Sequence, residues 1–163
     1  MLIKLKNKEL LTIDDFFFKC SIGKRGIKSK KKEGDKATPA GIFSLGKLYY
    51  RADRVDKPKT KIPLKAIKKN MGWCDDPQDK DYNKEIKITS NLGNEKLFKK
   101  NNAYDYFIVI NYNTKKPVPY KGSAIFIHLT NNYKATDGCI ALKKKDFLIL
   151  IKLINKKTKI KIT

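Results

Sequence analysis

Short apolar runs separated by polar turns dominate the chain, and their period predicts strands far more often than helices. Leu2 to Leu5 alternates apolar residues with lysine, and Lys159-Ile160-Lys161-Ile162 repeats that alternation at the other end. Both patterns predict half-buried strands. Phe17 to Ile22 predicts another strand, which ends at Gly23 and a basic loop running to about Lys36. Thr38-Pro39-x-Gly41 predicts a turn that delivers Ile42-Phe43-x-Leu45, with Leu48-Tyr49-Tyr50 continuing the strand. Phe107 to Ile110 and Ala124 to Leu129 are the most apolar runs and predict central strands, joined through a turn at Asn113 to Pro119. Asp146 to Ile154 predicts the one helix, with Phe147, Leu150, Ile151 and Ile154 at helical spacing, although other positions of the run are apolar too and a strand is the alternative. Asp53 to Ser90 is rich in polar residues, Pro and Gly, and is too long for an inert connection. It is expected to form a wall or lid of a functional site. The pattern therefore predicts a mainly β domain with one C-terminal helix.

Composition narrows this little but usefully. The 163 residues are expected to form one domain, 1–163, with no internal repeat and enough apolar content for a core. No apolar stretch approaches the ~18 residues that a membrane-spanning helix needs. The opening segment, Met1 to Cys20, lacks the pattern of a secretory signal, since Asp14 and Asp15 interrupt its apolar stretches. The formal charge of +22 invites a nucleic-acid reading. Only three of the 38 basic residues are arginine, however, and arginine is the residue suited to bidentate base and phosphate contacts. The lysines are spread along the whole chain, and the runs Lys30-Lys31-Lys32 and Lys143-Lys144-Lys145 read as solvated faces. No specific nucleic acid is expected. A basic nucleic-acid or anionic-polymer binding module without catalysis remains the alternative class.

One pair of residues suggests chemistry. His128 is the only histidine and ends the run Phe126-Ile127-His128; Cys139 follows eleven residues later, behind Asp137-Gly138. A histidine at a strand end could serve as base to a thiol exposed by a glycine bend, and backbone N–H groups at that bend could hold an oxyanion. On residue types alone, a core histidine and a small buried thiol explain the same two residues equally well. If the two are paired, the thiolate is expected to form below the ~8.5 of a free cysteine. The other cysteines have weaker contexts: Cys20 sits in an apolar run, and Cys74 precedes Asp75 and Asp76, whose charges would raise its pKa. None is in a CxxC pair, so no metal site is expected.

The segment Ser123-Ala124-Ile125-Phe126-Ile127-His128, with Thr136-x-Gly138-Cys139-Ile140, resembles the catalytic signature of the YkuD-type L,D-transpeptidases. A second block, Glu33 to Phe43, resembles that family's Gly-Asp…Thr-Pro-x-Gly-x-Phe motif. Further matches to one branch of it are Tyr50-Arg51-Ala52-Asp53-Arg54, Gly72-Trp73-Cys74-Asp75-Asp76-Pro77, Tyr82-Asn83 and Tyr104-Asp105. They follow the family's order from about Lys19 to about Leu142. The chain departs from the signature at Asp137, where histidine is usual, and at Ala141, where arginine or asparagine is usual. The resemblance implies a β-sandwich-like catalytic fold and no cofactor. It implies that Cys139 is the acyl nucleophile, His128 its base, and the amides of Gly138 and Cys139 the oxyanion donors. The implied substrates are peptidoglycan stem peptides, with 3→3 cross-linking or L,D-carboxypeptidase activity, and carbapenem-type β-lactams are the implied covalent inhibitors. Arg51, Arg54, Trp73, Tyr82 and Thr136 are the candidates for substrate contact, with an ion pair to a nearby aspartate as the other reading of the arginines and core packing that of Trp73. A periplasmic or cell-envelope location is implied by the family, with the cytoplasm open; oligomeric state is left open.

Overall fold

The computed structural model describes residues 1–6, 9–29, 31–89 and 94–163. Lys30 and Ser90, which end two of the segments above, lie outside the described residues. The strands are β1 (Leu2–Lys6), β2 (Leu10–Ile13), β3 (Phe16–Ser21), β4 (Ile27–Lys28), β5 (Thr38–Pro39), β6 (Gly41–Tyr50), β7 (Leu64–Ala66), β8 (Met71–Cys74), β9 (Glu85–Lys87), β10 (Asn94–Lys96), β11 (Tyr106–Ile110), β12 (Phe126–Leu129), β13 (Ile140–Leu142) and β14 (Lys159–Ile162). The single helix among the described residues, α1 (Lys144–Leu153), precedes β14.

The main sheet runs β11-β12-β13-β3-β2-β1-β14-β6-β7, and β11 also pairs with β6, so eight strands close into a ring. β6 makes the corner: Gly41–Ser44 pair with β14, and Leu45–Tyr50 pair with β11 across a register shift between Ile108 and Ile110. Such bulges bend a strand and let a sheet close on itself. Closure leaves an interior filled by Ile3, Leu5, Leu11, Ile13, Ile108, Ile127, Ile140, Ile160 and Ile162, and by Phe147, Leu150 and Ile151 of α1. The helical spacing of those three residues, plus Ile154 at the C-cap, settles the helix-or-strand alternative in favour of helix. The mainly β architecture agrees with the pattern of the chain, and the layers of the expected sandwich are parts of one rolled sheet.

A second apolar cluster lies on the outside of the ring. Phe107 and Val109 of β11, Phe126 of β12 and Tyr49 of β6 alternate with interior residues on the same strands and meet Met71, Trp73, Leu97 and Tyr104. The three-stranded sheet β10-β8-β9 supplies Met71 and Trp73 to this cluster. β11 and β12 are thus buried on both faces, which is why their sequences read as continuous apolar runs. The segment expected to form a wall or lid contains β7, β8 and β9, and of its described residues Asp75 lines the cavity described next.

Candidate active site

β12 and β13 lie parallel and adjacent, with Ile127 opposite Ile140 and His128 opposite Ala141. The strand period then puts Phe126, His128, Cys139 and Ala141 on the outer face of the ring. Cys139 and His128 are therefore diagonal neighbours across the two strands. Both line a cavity of about 630 Å³ between the ring and the covering layer.

The bend before Cys139 depends on glycine. Gly138 has φ 140°, and a Cβ there would lie 2.9 Å from the Ala37 carbonyl oxygen. Thr38, from the Thr-Pro-x-Gly motif, is fully buried and ties this bend down: its hydroxyl donates to the Gly138 carbonyl at 2.9 Å and accepts from the Gly23 amide at 2.9 Å. Thr136 braces the other side. Its Oγ1 donates to the Cys139 carbonyl at 2.6 Å and accepts from the Gly138 amide at 3.1 Å. The Gly138 N–H, one of the two amides named from the sequence, is therefore already engaged by Thr136.

The thiol is buried. Its Sγ accepts from the Phe126 amide at 3.3 Å and donates to the Ala124 carbonyl at 3.3 Å. Burial pushes its pKa up to about 12; the Phe126 N–H and the cations Lys99 and Lys31 oppose that rise, and Glu95 adds to it. His128 Nδ1 lies 2.9 Å from the Leu129 carbonyl. A carbonyl can only accept, so Nδ1 carries the proton and Nε2 is left as the basic nitrogen. Burial lowers the imidazole pKa, with Lys99 helping, against the opposing Leu129 bond and Glu95. The expectation of a thiolate formed below the free-cysteine value is reversed: the resting site holds a neutral thiol and a neutral imidazole, because desolvation penalises both charged forms. A network holds the imidazole in place. Tyr104 packs edge-on at 5.5 Å between ring centroids, donates to Glu95 at 2.9 Å and lies under the Lys99 ammonium, which pairs with Glu95 at 2.5 Å.

The remaining sequence candidates stand one layer back. Arg51 and Arg54 are absent from the cavity lining. Arg51 forks onto Asp53 with two bonds of 2.8 Å, donates to the Lys99 carbonyl at 2.6 Å and stacks 3.4 Å from the Phe98 ring centroid. Arg54 pairs with Asp105 and donates to the Lys100 and Asn101 carbonyls at 2.8 Å each. Together they fasten the 98–101 segment, which carries Lys99 into the cavity. Trp73 packs edge-on against Phe126 and donates to Asn83 at 2.9 Å. Tyr82 donates to Glu33 and accepts from the Gly122 amide. Of the substrate-contact candidates, only Thr136 lines the cavity. Asp137, where the signature usually has histidine, lines it too and pairs with Lys24 at 3.2 Å, while Ala141 is fully buried. Cys20 is buried with its pKa raised to about 12 by burial and Glu9. Cys74 is buried in β8, and burial raises its pKa more than the neighbouring aspartates do.

Sequence reasoning missed the charged lining: Lys31, Glu33, Lys36, Asp75, Glu95, Lys99 and Lys134. Lys31 was expected on a solvated face, yet its side chain is only 3% exposed and pairs with Asp35 at 2.8 Å. The Gly-Asp of the Glu33–Phe43 block was the available signal, since Asp35 also accepts from the Lys32 and Ala37 amides and so shapes the turn that buries Lys31.

Comparison with the curated proteins and with the solved structures gives no match. A family model, that of the L,D-transpeptidase catalytic domain called YkuD, matches residues 3–162. The match spans nearly the whole chain and includes both motifs that build the bend at Cys139, so the chain belongs to the YkuD L,D-transpeptidase catalytic domain family.

Proposed function

We propose that the protein is a cysteine acyltransferase acting on peptidoglycan stem peptides, with Cys139 as nucleophile and His128 as general base. The observation that carries this reading is the placement of Cys139 and His128 on one face of adjacent strands in one cavity, with Nδ1 held by Leu129 so that Nε2 is the basic nitrogen. The thiol proton, which Sγ donates to the Ala124 carbonyl in the resting site, passes to Nε2 as Sγ attacks the carbonyl of the third residue of a tetrapeptide stem. The Cys139 N–H stabilises the oxyanion, a donor worth roughly 3–4 kcal/mol in comparable sites. Collapse breaks the peptide bond, and the leaving D-alanine amine takes the proton from the imidazolium. The amine of a second stem then attacks the thioester, returns its proton through His128 and forms a 3→3 cross-link. Water in its place gives a tripeptide, the L,D-carboxypeptidase outcome.

The mixed charge of the lining suits a stem peptide, which carries both carboxylates and amines. Lys36 and Lys134 offer cations, and Glu33 and Asp75 offer carboxylates. This chemistry needs neither metal nor organic cofactor. Its substrate places the protein at the cell envelope; none of the described helices is long and apolar enough to cross a membrane. Incubation with purified tetrapeptide muropeptides, followed by mass analysis, tests the proposal. A 3→3 dimer identifies the transpeptidase, and a tripeptide without dimer identifies the carboxypeptidase. Unchanged muropeptides with wild-type protein would refute both and leave the polyanion-binding alternative.

A further inference from the structure

We propose that the outer face of β3-β2-β1-β14-β6 is a docking surface for an anionic lipid bilayer. The strand register defines this face. Lys4 lies opposite Lys161 on one side and Thr12 on the other, Thr12 lies opposite Phe17, and Lys161 lies opposite Ile42. The flanking rows bring Lys159 beside Leu2 and Ser44, and Lys6 and Lys19 beside Leu10. Because side chains alternate across a strand, these residues share the outward side, while Ile3, Leu5, Leu11, Ile160 and Ile162 fill the interior.

Five lysines therefore occupy one face (Lys4, Lys6, Lys19, Lys159 and Lys161), and the outward positions of these strands carry no acid. Among the described residues none of the five is in an ion pair. The nearest acids in sequence bound the face: Glu9 precedes β2, and Asp14 and Asp15 form the β2–β3 turn. Of the large apolar side chains exposed among the described residues, the register puts two on this face, Phe17 opposite Thr12 and Ile42 opposite Lys161, with Phe17 67% exposed. Lysines free of ion pairs, of which Lys19 also sits 5.1 Å from the Tyr133 ring centroid, with exposed apolar residues among them suit a bilayer interface, where ammonium groups meet anionic headgroups and apolar side chains enter the acyl boundary. A soluble polyanion would use the lysines and leave Phe17 and Ile42 in water.

The closed ring gives this face a defined relation to the active site. β1 is four strands from β12 in either direction around the ring. A protein lying on a membrane through β1 and β14 would turn the Cys139 cavity away from the lipid, toward whatever lies above the bilayer.

Vesicle co-sedimentation of the whole chain tests this. Binding is expected to vesicles holding about 30% phosphatidylglycerol, to fall with added salt, and to be absent with phosphatidylcholine alone. Replacing Lys4, Lys6, Lys159 and Lys161 with serine should weaken binding by roughly six hundredfold, since each surface lysine is worth about fivefold. A control of equal net charge, with Lys57, Lys69, Lys115 and Lys116 changed to serine, should stay within a few fold of wild type. Two single variants, Lys161→Glu and Phe17→Ser, carry less risk to the fold, and each should weaken binding severalfold at an unchanged melting temperature. Equal losses in the two four-lysine variants, unimpaired binding by Phe17→Ser, or complete displacement from vesicles by polyphosphate at matched charge would overturn the proposal. So would a failure to bind the anionic vesicles.

Discussion

The buried, uncharged resting pair predicts an unusual pH profile for thiol reactivity. With the Cys139 thiol pushed up to about 12, the thiolate fraction at pH 7 is on the order of 10⁻⁵ and rises tenfold with each pH unit. Alkylation of Cys139 by a small reagent should therefore climb with a slope near one from pH 6 to pH 10, without a plateau. Burial lowers the His128 pKa below its ordinary value, so at and above pH 7 the imidazole is neutral and lends the sulfur no positive charge. His128→Gln should accordingly leave the alkylation profile nearly unchanged, whereas acyl transfer should fall by roughly 10²- to 10⁴-fold, because the attack and the leaving amine both lose their proton carrier. Stopped-time alkylation read by intact mass, alongside turnover and melting temperature for both proteins, separates the cases. A wild-type plateau below pH 8 that disappears in a well-folded His128→Gln would refute the neutral-pair account and establish a thiolate–imidazolium pair. Unchanged turnover in the variant would remove His128 from the mechanism.

Other expectations are tested more briefly. A carbapenem-type β-lactam should form one adduct, mapped to Cys139 and lost in Cys139→Ala, while Cys20→Ala and Cys74→Ala still label; an adduct on either of those residues would disprove the assignment. Gly138→Ala should cost about 2–4 kcal/mol, from the positive φ and the approach of Cβ to the Ala37 carbonyl, and should impair turnover; denaturant melts that match wild type would show that the bend relaxes freely. Arg51→Ala should destabilise by about 2 kcal/mol or more, as the Asp53 fork and the Lys99 carbonyl lose a nearly buried partner. A raised KM at an unchanged melting temperature would instead restore Arg51 as a direct substrate contact.

What could be read from the chain, and what could not, divides along physical lines. Strands β1, β3, β6, β11, β12 and β14 were legible because burial on one face gives alternation and burial on both gives an apolar run. β2 was not, since Leu10–Ile13 shows no clean alternation and becomes a strand by pairing with β1 and β3. β8 to β10 were hidden for a related reason: their short, polar-flanked segments gain definition from one another and from the outer cluster of Phe107 and Phe126. At the site, the bend and its bracing residues were legible as motifs, because Gly138, Thr38 and Thr136 answer local demands of backbone geometry. Lys31 was not, because a lysine in a basic run looks solvated until Asp35 and the cavity wall close over it. The protonation of the Cys139–His128 pair was misread for the same kind of reason. A motif names the atoms that can exchange a proton, but where that proton rests depends on desolvation, which only the layer folded over the site by Trp73, Leu97 and Tyr104 supplies. Residues that answer local geometry can be read from sequence, then, whereas those whose charge state depends on distant cover require the fold.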